Sequence, residues 1–139
     1  MIIQEWDGCP IRFAAGIFGD KWCLVILRDL IFKSKHYYGE FLEGGEGISP
    51  NILADRLSRL VDQGILEKHL DSEKASKYIY KLTTRGLDLI PTMLAIIEWS
   101  YTHDKNSLVS KDYVEEYRKN RVRFEKKARR AAEENVSGT

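Results

Sequence analysis

Hydrophobic positions recur at helical spacing over most of the chain and alternate strictly only in one short stretch before residue 83. Pro10 to Phe18 predicts a short opening helix, because proline is tolerated at a first helical position and Cys9 then takes the N-cap; Gly19 ends it. Asp20 is a good N-cap for a second helix, Lys21 to about Phe32. Trp22, Leu24, Val25, Ile26, Leu27, Leu30 and Ile31 leave this helix almost no polar face, so it must be largely buried. Tyr37 to Glu43 has room for a short helix, and Gly44, Gly45 and Gly47 punctuate the turn that follows. Ser49 followed by Pro50 is a strong helix start: the hydroxyl accepts a free backbone N–H, and proline fills a position that needs none. Leu53, Leu57, Leu60 and Val61 then turn one face to the core, and Gly64 stops the helix.

Residues 65–70 and 77–82 flank the polar stretch Asp71 to Ser76 and read as a hairpin, with Tyr78, Tyr80 and Leu82 on one side and Lys77, Ile79 and Lys81 on the other. Thr83 or Thr84 can cap a long helix running to about Thr102, apolar nearly all round, which Pro91 should kink. One domain of this size can hardly cover every side of such a helix, so part of it is expected to meet a second subunit. A last helix, about Lys111 to Glu134, is basic from Arg118 to Arg130, with eight cations against the single Glu125.

Two helices, a short helix, a Gly-rich turn, a sharply capped helix, a hairpin and a long helix follow the order of a winged helix-turn-helix. The expected class is mainly α (α+β): a winged helix-turn-helix with a two-stranded wing and extra terminal dimerisation helices. Residues 1–103 would form that domain and residues 104–139 a C-terminal basic helix for dimerisation or an accessory role. A helix about 10–12 Å across fits the major groove of B-DNA, and its N-terminus points free N–H groups at phosphates.

The residues also resemble a family, the HxlR-type winged helix-turn-helix regulators, close to the MarR-type regulators. The resemblance runs from about Cys9 to Trp99 through Cys9-Pro10-Ile11, Gly19-Asp20-Lys21-Trp22, Tyr38-Gly39-Glu40-Phe41, Gly47-Ile48-Ser49-Pro50, Arg56-Leu57, Gly64-Ile65-Leu66, Leu82-Thr83, Gly86, Pro91 and Trp99. It implies a homodimeric DNA-binding regulator, with dimer contacts from the N-terminal segment and the helices after the wing. The chain departs from the family at His36-Tyr37, where an arginine and an aromatic residue are usual, and at Glu73 to Lys77, where the wing usually has prolines and an arginine.

With 139 residues, 43% of them hydrophobic and 31% charged, the chain fits one folded domain plus an appended helix. It has no apolar run long enough to span a bilayer and no secretory pattern at its start, so a cytoplasmic protein without membrane attachment is expected. The net charge of +1 hides an asymmetry: residues 111–134 hold 9 basic and 6 acidic groups, leaving the body slightly acidic. Bulk charge is therefore no argument for nucleic-acid binding, and local placement must decide. His36, His69 and His103 are far apart, the two cysteines have no zinc-type spacing, and no hydrolase, metalloprotease, phosphate-loop or dinucleotide motif occurs. Neither an enzyme, a metal site nor a cofactor is expected.

The candidate DNA contacts are Ser49, Pro50, Asn51, Ala54, Asp55, Arg56, Ser58 and Arg59 on the capped helix, and Lys74 and Lys77 in the wing. Asp55 and Asp62 would repel phosphates, although a carboxylate can accept a hydrogen bond from cytosine. For Arg56 and Arg59 the plain alternative is ion pairing with neighbouring carboxylates. Candidate dimer residues are Ile11, Leu87, Ile90, Leu94, Ile97, Trp99 and Tyr101. Cys9, at a helix N-terminus, is the candidate redox sensor, whereas Cys23 reads as a buried hydrophobe. The expected partner is double-stranded DNA with a near-palindromic operator, bound by a homodimer that a small molecule or an oxidant could regulate. The alternative is a winged-helix protein-interaction module that no longer binds DNA.

Overall fold

A computed structural model describes residues 8–73 and 76–137. The elements are α1 (Pro10–Phe18), α2 (Lys21–Phe32), α3 (Tyr38–Leu42), α4 (Pro50–Asp62), β1 (Leu66–Leu70), β2 (Tyr78–Leu82), α5 (Thr84–Leu87), α6 (Ile90–His103), α7 (Lys111–Lys119) and α8 (Arg121–Ser137). Up to β2 the observed bounds follow the expected ones closely, because each helix there starts at a strong local signal. Asp20 accepts hydrogen bonds from the N–H groups of Trp22 and Cys23, and Ser49 accepts one from Ile52. Cys9 holds the N-cap position of α1 in extended conformation but makes no side-chain capping bond.

Helix α2 is the central strut. Cys23, Ile26, Leu27, Leu30 and Ile31 are all buried, and α4 and α8 both pack against it. Leu53, Leu57 and Leu60 seat α4 with at most 1% exposure, and full burial of such side chains stabilises by about 1.5–3 kcal/mol each before chain entropy is counted. The wing is antiparallel, with Leu66 opposite Leu82, Lys68 opposite Tyr80 and Leu70 opposite Tyr78. A bridge between Tyr37 and Ile79, and the Tyr80 N–H donated to the His36 carbonyl at 2.8 Å, extend the sheet toward α3. Ile79 and Tyr80 are consequently both buried although they point to opposite faces, and Tyr78 stays half-exposed.

Two expectations need correction. The helix foreseen from Thr83 to Thr102 is two helices, and Pro91 does not kink one: it stands in the first turn of α6, where its missing N–H costs nothing. The break falls at Asp88 and Leu89, just before the proline; within α5, an added Cβ at Gly86 would lie 2.3 Å from the Ile65 carbonyl oxygen, so α5 sits directly on the start of the wing. Thr83 fixes the same junction by accepting from the Gly86 N–H and donating to the Gly64 carbonyl. The basic helix foreseen over Lys111 to Glu134 also divides, at Asn120, whose side chain accepts from the Arg123 N–H and starts α8. Phe124 meets Tyr113 and Tyr117 edge to face, which folds α8 back along α7. Tyr117 and Ala132 join the main core, so the C-terminal pair packs on the winged domain and does not project from it.

Candidate nucleic-acid interface

The burial of the three leucines leaves the opposite side of α4 in solvent. Ser49, Pro50, Asn51, Ala54, Asp55, Ser58 and Asp62 are exposed and form one strip along the helix. The entry to that strip is pinned by the Tyr38 hydroxyl, which donates to the Pro50 carbonyl at 3.3 Å. Candidates chosen from sequence thus share one solvent face, with two arginines on its flank.

Those arginines are already engaged. Arg56 donates to Asp20 at 3.3 Å and to Asp55 at 2.5 Å, and Arg59 reaches Asp20 at 3.5 Å and Asp55 at 3.4 Å. Asp20 therefore does two things: it caps α2 and ties α4 to that cap. Partial burial works against its ionisation, yet hydrogen bonds from Cys23 and Arg56 outweigh this and hold the carboxyl below its ordinary value. The Arg56 side chain is only 22% exposed, whereas that of Arg59 is 41% exposed and can swing outward.

Lys77 is exposed on the wing; Lys74 lies outside the described residues. Lys68 belongs with the candidates, although sequence reasoning missed it. It faces Tyr80 across the hairpin, lies over the Tyr78 ring at 4.4 Å, and lines a hollow of about 320 Å³ shared with Tyr38, Ala54, Ser58 and Asp62. The signal for it was the alternation of β1 paired in register with β2, which brings Lys68 to the side where wing and α4 meet. Beyond the hollow a larger cleft of about 660 Å³, lined by Tyr37, Tyr38, Tyr78, Lys68 and Lys77, separates α3 from the wing.

The candidate dimer residues divide. Leu87, Ile90 and Leu94 are 8%, 1% and 1% exposed and belong to the chain's own core, so they are unavailable to a partner. Helix α6 turns that side inward because α8 packs on it. Ile11 at 77% and Trp99 at 67% are exposed, with Phe13 and Ile96 beside them in sequence, and Ile97 and Tyr101 are half-buried. Of the two thiols, Cys9 is partly accessible, while Cys23 is fully buried. Burial and the neighbouring Asp20 push the Cys23 pKa up to about 12, which keeps it protonated and unreactive. Among the described residues no cluster of His, Cys, Asp and Glu could hold a metal, and no helix is long and apolar enough to cross a membrane.

The family model for HxlR-like helix-turn-helix proteins matches residues 17–107, from the end of α1 to just beyond α6. The chain belongs to the HxlR-like helix-turn-helix family. It is a transcription regulator of the winged helix-turn-helix type. Among curated relatives it is 32% identical over 88 residues to the uncharacterised HTH-type transcriptional regulator sll1512 of Synechocystis sp., a match over 63% of this chain and 64% of that one. The solved structure of PA1607 is similar with a TM-score of 0.66 and 32% identity, over 73% of this chain and 70% of the other. The redox regulator HypR in its oxidised form superposes with a TM-score of 0.62 at 26% identity, over 70% of this chain and 99% of its own. Helices α7 and α8 lie beyond the family match.

Proposed function

We propose that the chain is a homodimeric, sequence-specific DNA-binding regulator in which α4 enters the major groove and the wing tracks the adjoining backbone. The observation that carries this reading is the exposed polar strip of α4, held outward by Leu53, Leu57 and Leu60 within a family of helix-turn-helix regulators. Ser49 and Asn51 lie at the helix entry, which approaches bases most closely in this kind of docking. Ser58 and Arg59 extend the reading strip, and Lys68 and Lys77 meet phosphates. Arg56, held between two carboxylates and mostly covered, positions α4 on α2. The twofold pairing runs through the exposed apolar residues of α1 and α6, which places two recognition helices about 34–36 Å apart on a near-palindromic operator.

The test is selection of binding sites from a random duplex pool by the purified chain. A twofold-symmetric consensus, whose affinity falls steeply with salt, is expected. Enrichment of no sequence, with binding only to proteins, supports instead an interaction module, a reading that the acidic residues on the strip would suit.

The same reading assigns Cys9 as the thiol that an oxidant or electrophile reaches, because it stands at the N-cap of α1 beside the proposed dimer face and Cys23 is sealed. The resemblance to a redox regulator agrees with it. Cys9→Ser should leave DNA affinity within twofold and abolish release from DNA by peroxide or diamide in a mobility-shift assay. An unchanged response sinks the assignment.

A further inference from the structure

The C-terminal helices form a recess that the regulator reading does not use. Between the end of α2 and the α7–α8 pair lies a groove of about 350 Å³, whose walls are Ile31, Phe32, Tyr113, Phe124, Ala128 and Ala131. Two alanines where α8 could have carried larger side chains leave the space open. A second hollow of about 360 Å³ shares Phe124, Glu116 and Lys127 with it and adds Lys119 and Arg123 at its rim. The rim thus sets three cations against one carboxylate. Lys127 answers Glu116 at 3.7 Å, and Lys119 and Arg123 have no acidic partner among the described residues.

We propose that this groove binds a small amphipathic organic anion, with an apolar body between α2 and α8 and a carboxylate on Arg123, Lys119 and Lys127. The apolar space lies at the lower end of the range usual for small-molecule sites, about 300–1,000 Å³, which fits a chain or ring system of modest length. Arginine takes a carboxylate with two parallel hydrogen bonds, and lysine adds charge without directional demand. The Tyr113 hydroxyl, on the wall of the groove with no hydrogen-bond partner among the described residues, offers the body one polar contact. The walls are preformed: Glu98 of α6 grips Arg118 and Arg121, and Arg129 of α8 holds Asp88 at 2.8 Å. The exposed apolar residues of α1 and α6 differ from it in kind, since they line neither this groove nor the hollows beside it and beside α4.

The site is independent of whether α4 enters DNA, so its test reads binding directly. The full chain is titrated by calorimetry with decanoate and, separately, with 4-phenylbutyrate, the pair separating an aliphatic from an aromatic body. One saturable site per chain is expected for at least one probe, and the uncharged analogue decanol should bind at least tenfold more weakly than decanoate if the aliphatic body is the one accepted. Ala131→Phe, a change at an exposed position that fills the groove, should weaken binding at least tenfold with an unchanged circular dichroism melt. The double variant Arg123→Glu, Lys127→Glu should weaken it as much by reversing the rim charge. Absence of saturable binding by either probe overturns the proposal. Retention of full affinity in both sets of variants overturns it too, as does loss of binding in Ile11→Ser, Trp99→Ser, which places the probe on the α1 and α6 faces.

Discussion

Two carboxylate clusters built from similar parts tie helices together in this molecule, and they differ in what else their arginines can do. At one, Asp20 and Asp55 take Arg56 and Arg59 and tie α4 to the cap of α2. At the other, Glu98 takes Arg118 at 2.6 Å and Arg121 at 2.9 Å and ties the C-terminal pair to α6. Asp20 also accepts two backbone N–H groups, so its charge is shared between a helix cap and the ion pairs. Glu98 spends both oxygens on guanidinium groups, and its pKa drops to about 2. The first cluster lies beside the polar strip of α4, where a phosphate or base can compete for Arg59. The second joins α6 to α7 and α8. An ion pair next to a ligand surface is a reserve of charge, whereas the same pair between two packed helices is a clamp.

The sharpest break in the comparison is to remove one arginine from each cluster. Arg59→Ala should lower affinity for the selected operator by about 1–3 kcal/mol, the range for a good contact to a base edge, and relax preference at the bases it meets. Arg121→Ala should leave that affinity within twofold and lower the melting temperature instead. If the two variants behave alike in a DNA titration, Arg59 is a clamp as well and the contact set of α4 must be redrawn around Asn51 and Ser58.

A second variant tests the junction of α3 and the wing, away from both clusters' ion pairs. His36 is 5% exposed and neither ring nitrogen has a hydrogen-bond partner among the described residues. Burial pushes its pKa below the ordinary 6.5, although Glu40 pulls the other way. The unfolded chain therefore takes up the proton first, and stability present above pH 6.5 is lost as the pH falls through the lowered pKa. His36→Phe should raise stability by about 1–3 kcal/mol by removing a buried polar group that has no partner. It should also flatten that part of the pH profile in chemical denaturation. A destabilised variant with the same acid slope would show that the imidazole has a partner.

Sequence reasoning reached the winged fold because its elements begin at local signals: Asp20, Ser49-Pro50 and the glycines at 44, 45, 47 and 64 act within a few residues. It went wrong where the deciding contact is distant in sequence. Pro91 looks like a kink in one helix until α5 is seen packed on the start of the wing, with the chain leaving the helix at Asp88 and Leu89 and the proline opening α6. Asn120 is unremarkable in a basic run until Phe124 is packed on Tyr113. Leu87, Ile90 and Leu94 look like an interface because the chain that covers them, α8, follows some thirty residues later. The α4 strip was legible from the leucine period. Its ion pairs across to Asp20 were not, since only the packing of α2 on α4 brings them together, and Lys68 needed the hairpin register.

A smaller effect separates capping from pairing at Asp20. Asp20→Ser keeps a hydroxyl to accept the Trp22 and Cys23 N–H groups, and serine caps nearly as well as aspartate. It removes the charge that holds Arg56 and Arg59 back from the strip, so operator affinity should rise a few-fold with a steeper salt dependence. Weaker binding would mean that Asp20 holds Arg59 in the geometry DNA requires, making the first cluster a clamp like the second.

The smallest expected change belongs to the second cluster and is read on the pH axis. Glu98 has a folded pKa of about 2, held there by hydrogen bonds from Arg121 and Arg118, against an ordinary value of 4.5. A depressed carboxylate pKa contributes stability above the unfolded value and loses it as the pH falls from about 4.5 to about 2. Glu98→Gln should therefore melt slightly lower than the parent at pH 7, and the gap should close over that acid window, well below the pH at which His36 acts. Because the pairs are solvent-accessible, salt should narrow the gap at neutral pH. Operator affinity measured at pH 7 should not move, since the ion pairs of Glu98 among the described residues go to Arg118 of α7 and Arg121 of α8 and none goes to α4. A change in DNA binding in this variant, with the fold intact, would show that the clamp on the C-terminal helices reaches the reading strip through α2, on which both α4 and α8 pack.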